Sequence, residues 1–303
     1  MAGVISTGNH PAALVPGVKA WWGRAYNEHT PEFPDLFDKD TSSKHYEEDV
    51  LVTGFHLAQV KPEGEGARYD SESQGFTKRY THVAYALGFM ITFEENRDNL
   101  YAVVSKRRAQ ALAFSFRQTK ENVAAQVYNR AFNNSYTGGD GLELCSEAHV
   151  SKSGTWANEP SAACDLCEDA IEDACIAIMG YTNDRGLKIN LMPQSLHIHR
   201  NDWYEANRIL KSTLQSGTAN NDLNALRVTN SLPKGIKMNH YFTDTDAWFV
   251  RTNAPRGMIH YDRDPIMFDM DNDFDTKNLK WLGYERYSFG WTDPRGIYGN
   301  PGA

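Results

Sequence analysis

No stretch of this 303-residue chain approaches the ~18 consecutive apolar residues of a membrane-spanning helix. Its first residues, MAGVISTGNHPAALVPG, also lack the basic start and apolar core of a secretory leader, so neither a span nor a signal peptide is expected. Basic charge is short: 31 Lys and Arg against 39 Asp and Glu leave a net charge of −8, the wrong sign for a chain whose task is gripping phosphates. Lying beside nucleic acid is still compatible with that charge. Catalytic signatures are missing too. There is no GxSxG, no Walker phosphate loop and no HExxH, and the GGDG at 138–141 lacks the strand-to-helix setting of a dinucleotide site.

Cysteine is scarce, and its four positions decide a question. Cys164 and Cys167 form a CxxC, but a second ligand pair at zinc spacing is absent. Cys164, Cys167, Ile171, Cys175 and Ile178 instead fall at helical spacing, which predicts one apolar stripe on a helix over 161–180. Reduced core cysteines are therefore preferred to a metal site, with Cys145 in the same state. His197 and His199 alternate on a strand and would share a face, a spacing that metals use, but no third ligand is evident. Asp269, Asp271, Asp273 and Asp275 invite a calcium reading that fails the EF-hand test. Phe274 stands where the loop needs glycine and Lys280 where it needs a bidentate glutamate. A solvated or salt-bridged acidic edge is preferred to a divalent site between subunits, with Lys280 and Arg286 as partners. No cofactor is expected.

With 41% apolar residues the chain can bury a sizeable core in one or two domains. Residues 1–45 carry Pro11, Pro16, Pro31 and Pro34, the pair Trp21 and Trp22, and the aromatics Tyr26, Phe33 and Phe37, which together read as an extended arm that docks on something, such as a neighbouring subunit. Two strand-like runs follow, Asp49 to Lys61 and Gly75 to Ile91, separated by PEGEGARYDSES, which predicts a long hairpin. Thr92 and Glu95 supply a capping box for a helix reaching Phe132, roughly 60 Å long at 1.5 Å per residue. Its apolar stripe is Leu100, Val104, Leu112, Phe116, Val123, Val127 and Ala131, with Lys106, Arg107, Arg108, Arg117, Lys120 and Glu121 interspersed. Beyond Gly138 and Gly139 the chain reads as mixed helix and strand to about 257. Short strands are expected at Lys188–Leu191, Ser195–His199, Ile236–Tyr241 and Ala247–Arg251, and Asn201 caps a helix to Ser212. From Met258 strand character returns in PIMFDMD and LKWLGYERYSFGW, ending in turns.

This order of elements resembles the tailed-bacteriophage major capsid protein, the Hong Kong 97-type fold. The stretches RYTHVAYALGFMITFEE, RRAQALAFSFRQTKENVAAQVYNRAF, TNDRGLKI, RILKSTLQSGTANNDLNAL, APRGMIH and ERYSFGWTDPRGIYG look like those of Mu-like major head subunits. The resemblance implies an α+β chain with an N-terminal arm (1–45), an extended hairpin loop (46–91), a peripheral domain with a spine helix (92–160 and 258–303) and an axial domain (161–257). It implies self-assembly into pentamers and hexamers, an icosahedral shell around double-stranded DNA, and residence in the virion after assembly in the bacterial cytoplasm. The loop at Thr218–Asn224 would approach a symmetry axis. An arm of only 45 residues leaves no room for a built-in scaffolding segment, so a separate scaffolding protein is expected, with a portal protein and a decoration or cement protein as further partners. Contacts between subunits are expected at Trp21, Trp22, Lys61, Lys78, Arg79, Arg107, Arg108, Asp271, Asp273 and Arg286. Some relatives cross-link a hairpin lysine to an asparagine, for which Lys61 or Lys78 with Asn272 or Asn278 are the candidates here. The rival readings are another particle component, such as a tail or decoration protein, and a metal-dependent hydrolase built on His197, His199 and the aspartates.

Overall fold

The computed structural model describes residues 22–28, 30–94, 101–214 and 222–303, and the side chains of all of these except 101–106. Trp21, the loop at 218–221, the Glu95 half of the capping box and the side chains of Val104 and Lys106 lie outside the described residues, as does Leu100.

Everything is arranged around α3, Tyr101–Asn129. Its buried residues, Ala109, Leu112, Ala113, Phe116, Arg117, Lys120, Glu121, Ala124, Ala125 and Tyr128, recur every three or four positions, so one continuous stripe faces inward. That stripe is rotated from the expected one. Val123 and Val127 are only half-buried, and three charged residues occupy the middle of the buried face. The helix also stops at Asn129, where turns begin, and not at Phe132.

Beneath α3 lies a four-stranded sheet, order β1-β10-β11-β4 (Asp38–Thr41, Met258–Asn272, Leu279–Trp291 and Val83–Ile91), with β1 parallel to β10 and the other pairs antiparallel. Alternation turns Leu279, Trp281, Gly283, Glu285 and Tyr287 of β11 inward. At Gly283 the helix comes close enough that a Cβ would stand 2.4 Å from the Phe116 ring. The segment before β1 packs between α3 and the sheet as helix α1 (22–28) and helix α2 (Phe33–Leu36). Trp22 stacks between Tyr26 and Phe268 at ring distances of 5.3 and 5.0 Å. The described part of the arm is thus packed on its own chain, because its aromatics fill the gap between α3 and β10.

The long hairpin is shorter than expected and belongs to two systems. β2 (Tyr46–Val52) pairs with β3 (Gln74–Thr81), whereas β4 leaves the ribbon and pairs with β11. Buried His82 is the pivot, held by Ser288 Oγ and Ser42 Oγ, each at 3.0 Å. Residues 53–73 form no strand.

A second sheet, order β12-β9-β7-β8 (Ile297–Asn300, Trp248–Thr252, Pro193–Ile198 and Ile236–Met238), packs against α4 (Glu168–Gly180) and α5 (Trp203–Lys211), with α6 (Ala225–Val228) beside α5. Cys167 is the N-cap of α4, so the stripe keeps Ile171, Cys175 and Ile178 but loses Cys164 and Cys167 to the preceding loop. All four cysteines are free. Asp202, not Asn201, stands at the N-cap position of α5, and it makes no side-chain cap bond; Asn201 lies in the short 3-10 turn before it. Lys188 forms a single bridge to Thr182 in place of a strand. The expected terminal turns contain β12, which inserts beside β9. A small ribbon, β5 (His149–Ser151) with β6 (Gly154–Trp156), completes the fold.

The two sheets meet where Gly257 and Gly296 touch backbone to backbone; a Cβ on Gly257 would sit 2.6 Å from Gly296 Cα. Neither segment can yield cheaply, since both run directly into buried strands. Gly257→Ala and Gly296→Ala are each expected to cost about 2 kcal/mol in urea unfolding. A midpoint equal to the parent's would show that the segments have room to part.

Candidate assembly surfaces

Three surfaces are built by this framework, and the loop 53–73 is the most exposed of them. Its neck is closed by Thr53 and Ser73: Thr53 N–H donates to Ser73 O at 3.1 Å, Ser73 N–H donates to Thr53 Oγ1 at 3.1 Å, and the two hydroxyls meet. Beyond the neck Leu57, Val60 and Tyr69 are 73%, 93% and 98% exposed. The root is held more firmly. Buried Asp49 of β2 accepts from Arg256 Nη1 at 2.5 Å and from Thr292 Oγ1 at 2.9 Å, which in turn meets the Tyr80 hydroxyl at 2.7 Å.

The second surface is the face of the first sheet turned away from α3. Register places Met90, Leu282 and Met267 there, all about half exposed, among Lys280, Asp269 and Asp271. The third is a groove of about 590 Å³ between α3 and β4, lined by Val83, Tyr85, Val123, Val127, Arg130 and Trp291.

Behind these surfaces the three charged residues of α3 form an ionic layer. Arg117 donates to Tyr26 O at 3.0 Å and lies over the Tyr26 ring. Glu121 accepts the backbone N–H groups of Glu32 and Phe33 at 3.0 and 2.8 Å, which cap α2 from outside. Lys120 Nζ stands 3.6 Å from Glu285 and 3.9 Å from Asp262, and 4.6 Å from the Tyr287 ring centre. Burial holds the Glu121 and Glu285 carboxyls up at about 7 and pulls Lys120 down.

The residues singled out by sequence are dispersed. Trp22 is buried in its own chain. Lys61 is exposed on the loop, and Arg79 pairs with Glu48 at 2.6 Å while covering Tyr46. Lys78 donates to Thr137 O at 2.7 Å and lies 4.8 Å from the Trp291 ring centre. Arg107 is exposed and Arg108 half-buried on α3. Asp273 pairs with Lys280 at 2.7 Å, Asp271 accepts from Asn272 N, and Arg286 donates to His82 O and His45, away from the aspartates. Among the described residues no hydrogen bond joins Lys61 or Lys78 to Asn272 or Asn278, and Asn278 accepts from Phe93 N at 3.1 Å. His197 is fully buried beside Ser195 Oγ at 2.9 Å, its imidazole pushed down to about 3 by burial, whereas His199 accepts from Asn201 N. Among the described residues no group of three or more His, Cys, Asp or Glu stands together as a metal site. The outer sheet face was missed from sequence because its methionines and leucine sit between charges, the pattern of an ordinary solvated face.

The family profile described as phage capsid protein matches residues 75–300. No curated protein matches the chain. Among solved structures, the virus-like particle from Pyrococcus furiosus is similar with a TM-score of 0.51 at 11% identity, covering 94% of this chain and 98% of that one. Mycobacterium phage Che8 gives a TM-score of 0.51 at 14% identity, over 90% and 93% of the two chains. The capsid of an empty GTA particle gives 0.54 at 10% identity, over 98% and 90%. At such identities the likeness is one of fold, and the fold is the mixed helix-and-sheet architecture of the Hong Kong 97 type.

The ionic layer makes stability depend on pH. Both carboxyls lie above the 4.5 of an unfolded glutamate, so their contribution is fully present below that value and is lost as pH rises through about 7. Because the buried imidazoles of His197 and His260 shift stability the other way over the same range, the effect is read against a variant: between pH 5 and pH 8 the parent's urea midpoint is expected to fall relative to that of Glu285→Gln. A parent midpoint that rises relative to the variant's would mean that the Glu285 carboxylate is ionised and well paired.

Proposed function

The chain belongs to the phage capsid protein family, and from that premise we propose that it is the shell-forming major subunit of a tailed-phage head. Copies join in pentamers and hexamers and close an icosahedral shell around double-stranded DNA, with residence in the virion. The observation that carries this reading is the loop 53–73, whose Leu57, Val60 and Tyr69 are left exposed by all the described residues of the chain. A soluble monomer gains nothing from such an arm, whereas a neighbouring copy would bury it.

The proposed domain division is arm 1–45, loop 46–91, peripheral unit 92–160 and 258–303, and axial unit 161–257, although the pairing of β4 with β11 favours counting Val83–Ile91 with the peripheral unit. The pairing of β12 with β9 favours counting Ile297–Asn300 with the axial unit. Of the residues expected at subunit contacts, Lys61 and Arg107 have the exposure for that role, while Trp22 and Lys78 act within the subunit. A separate scaffolding protein, a portal and a decoration protein complete the set of partners. Buried placement of His197 argues against a hydrolase, since a catalytic group must reach substrate.

Negative-stain microscopy of the chain expressed in bacteria, alone and with its scaffolding protein, is expected to show closed shells or regular tubes. Replacing residues 55–69 by a short Gly/Ser link is expected to abolish them while leaving the melting temperature within about 3 °C. Small monodisperse oligomers from the parent under both conditions would favour a tail or decoration component instead.

A further inference from the structure

The loop 53–73 leaves the body in a defined direction, although none of the described residues covers its tip, and one side chain from elsewhere grips both of its legs. Arg185 Nη2 donates to Ser71 O at 2.5 Å on the returning leg, and Nη1 stands against the His56 ring on the outgoing leg, 2.9 Å from Nδ1 and 3.1 Å from Nε2. Asp70 ties the legs to each other: its Oδ2 accepts from His56 N at 2.8 Å and from His56 Nδ1 at 3.0 Å, and its Oδ1 accepts from Ser71 N at 2.9 Å. Those contacts pull the Asp70 carboxyl down to about 2, the His56 backbone N–H foremost. Arg185 Nη1 lies 4.0 Å from Asp70 Oδ1, and the Arg185 side chain is 15% exposed against 59% for His56.

The platform presenting Arg185 is rigid. Asn183 Oδ1 accepts from Arg185 N and Leu187 N, both at 2.9 Å, and Asn183 N donates to Leu187 O at 2.8 Å. Gly186 closes this turn at φ +77, where a side chain would be strained. The turn is pinned to the core by buried Arg295, which donates to Thr182 O at 2.9 Å and to Asp184 Oδ1 at 2.9 Å while stacked over Trp156. From the β5–β6 ribbon Lys152 adds a bond to Ser73 Oγ at the neck. The loop's own neck contains Gly54 at φ +64, so without the clamp its legs have a ready hinge.

We propose that Arg185 is a positioning residue that aims the 53–73 loop, and that this aim sets the angle between neighbouring copies in the shell. The inference rests on the shell-forming reading for its second half only. A planar fork is needed because two acceptors on different legs must be held at once, which a lysine ammonium on a flexible stem does not do. Because the same contact recurs at every copy, a small change of loop angle is repeated around each ring and alters whether the assembly closes.

The test is a set of full-length variants, Arg185→Ala, Arg185→Lys and Asp70→Asn, each checked by thermal melting against the parent. In hydrogen exchange of the unassembled chain, peptides covering 54–58 and 70–73 are expected to exchange about tenfold faster in Arg185→Ala, with the β10–β11 peptides unchanged. Asp70→Asn is expected to give the same pattern and Arg185→Lys to restore little of the protection. By electron microscopy Arg185→Ala should yield open or irregular sheets or shells of mixed diameter. Unchanged exchange in the 54–58 and 70–73 peptides would overturn the clamp. Faster exchange with shells of parental size and uniformity would overturn its control of geometry. Failure of the parent itself to assemble would count against the shell-forming reading, while the exchange result would still decide the clamp.

Discussion

The arrangement depends first on the ionic layer in the middle of α3. An apolar stripe alone lets a helix slide along a sheet, since a shift of one turn, about 5.4 Å, exchanges one alanine or phenylalanine for another. Glu121 cannot be exchanged in this way. It caps two backbone N–H groups at Glu32 and Phe33, while Lys120 one position earlier reaches Glu285 and Asp262 on the opposite side. Arg117 fixes Tyr26 one turn before, and Tyr128 donates to Leu36 O about two turns after. The N-terminal segment, the helix and the sheet thereby share one register. The layer adds little net stability, because desolvation offsets most of the attraction between buried charges. What it supplies here is direction.

A second constraint joins the two sheets. Asn158 is fully buried; its Oδ1 accepts from Ser146 N at 2.8 Å, and its Nδ2 donates to Leu144 O at 2.8 Å and Pro294 O at 3.1 Å. His149 beside it pairs with Asp140 Oδ2 at 2.6 Å and stacks on Trp156. The segment after α3 has almost no strand of its own, so its backbone groups are satisfied by these side chains in place of a ladder. Arg295, the residue after Pro294, carries the constraint outward to the turn at 182–188. Body, turn and loop are therefore one mechanical path.

Much of this was legible as pattern and little as partnership. The change from period two to period 3.6 located β4 and α3, and alternation located β10 and β11. Period cannot show that the run from Gly75 to Ile91 is two strands with different partners, because the break at His82 is made by Ser42 and Ser288, residues distant in sequence. Nor can it show that Arg117, Lys120 and Glu121 face inward. Charged residues default to the solvent side unless their partners are known, and those partners lie between 88 and 165 residues away in the chain. Cys164 failed as a helix residue for a long-range reason: Asn300 holds its backbone N–H and its sulfur, and the helix starts only after Cys167. Arg185 carried no signal at all, since TNDRGLKI reads as a turn whatever its arginine touches.

The contrast between the loop's root and its tip carries the functional argument further than composition does. Near the root, Asp49, Arg256, Thr292 and Tyr80 form a chain of short polar contacts, and the neck is closed by paired hydroxyls. At the tip, Leu57, Val60 and Tyr69 are exposed, with no cover from the described residues. A loop evolved only to connect two strands would be short, and a flexible tether would not have its legs bound to a fixed turn. A stiff base with an uncovered apolar end is what an arm needs if it must reach another molecule in one orientation. Ordering the base in the free subunit leaves less conformational entropy to lose at each contact. In a closed shell that saving recurs at every copy, so modest contacts suffice for a stable whole.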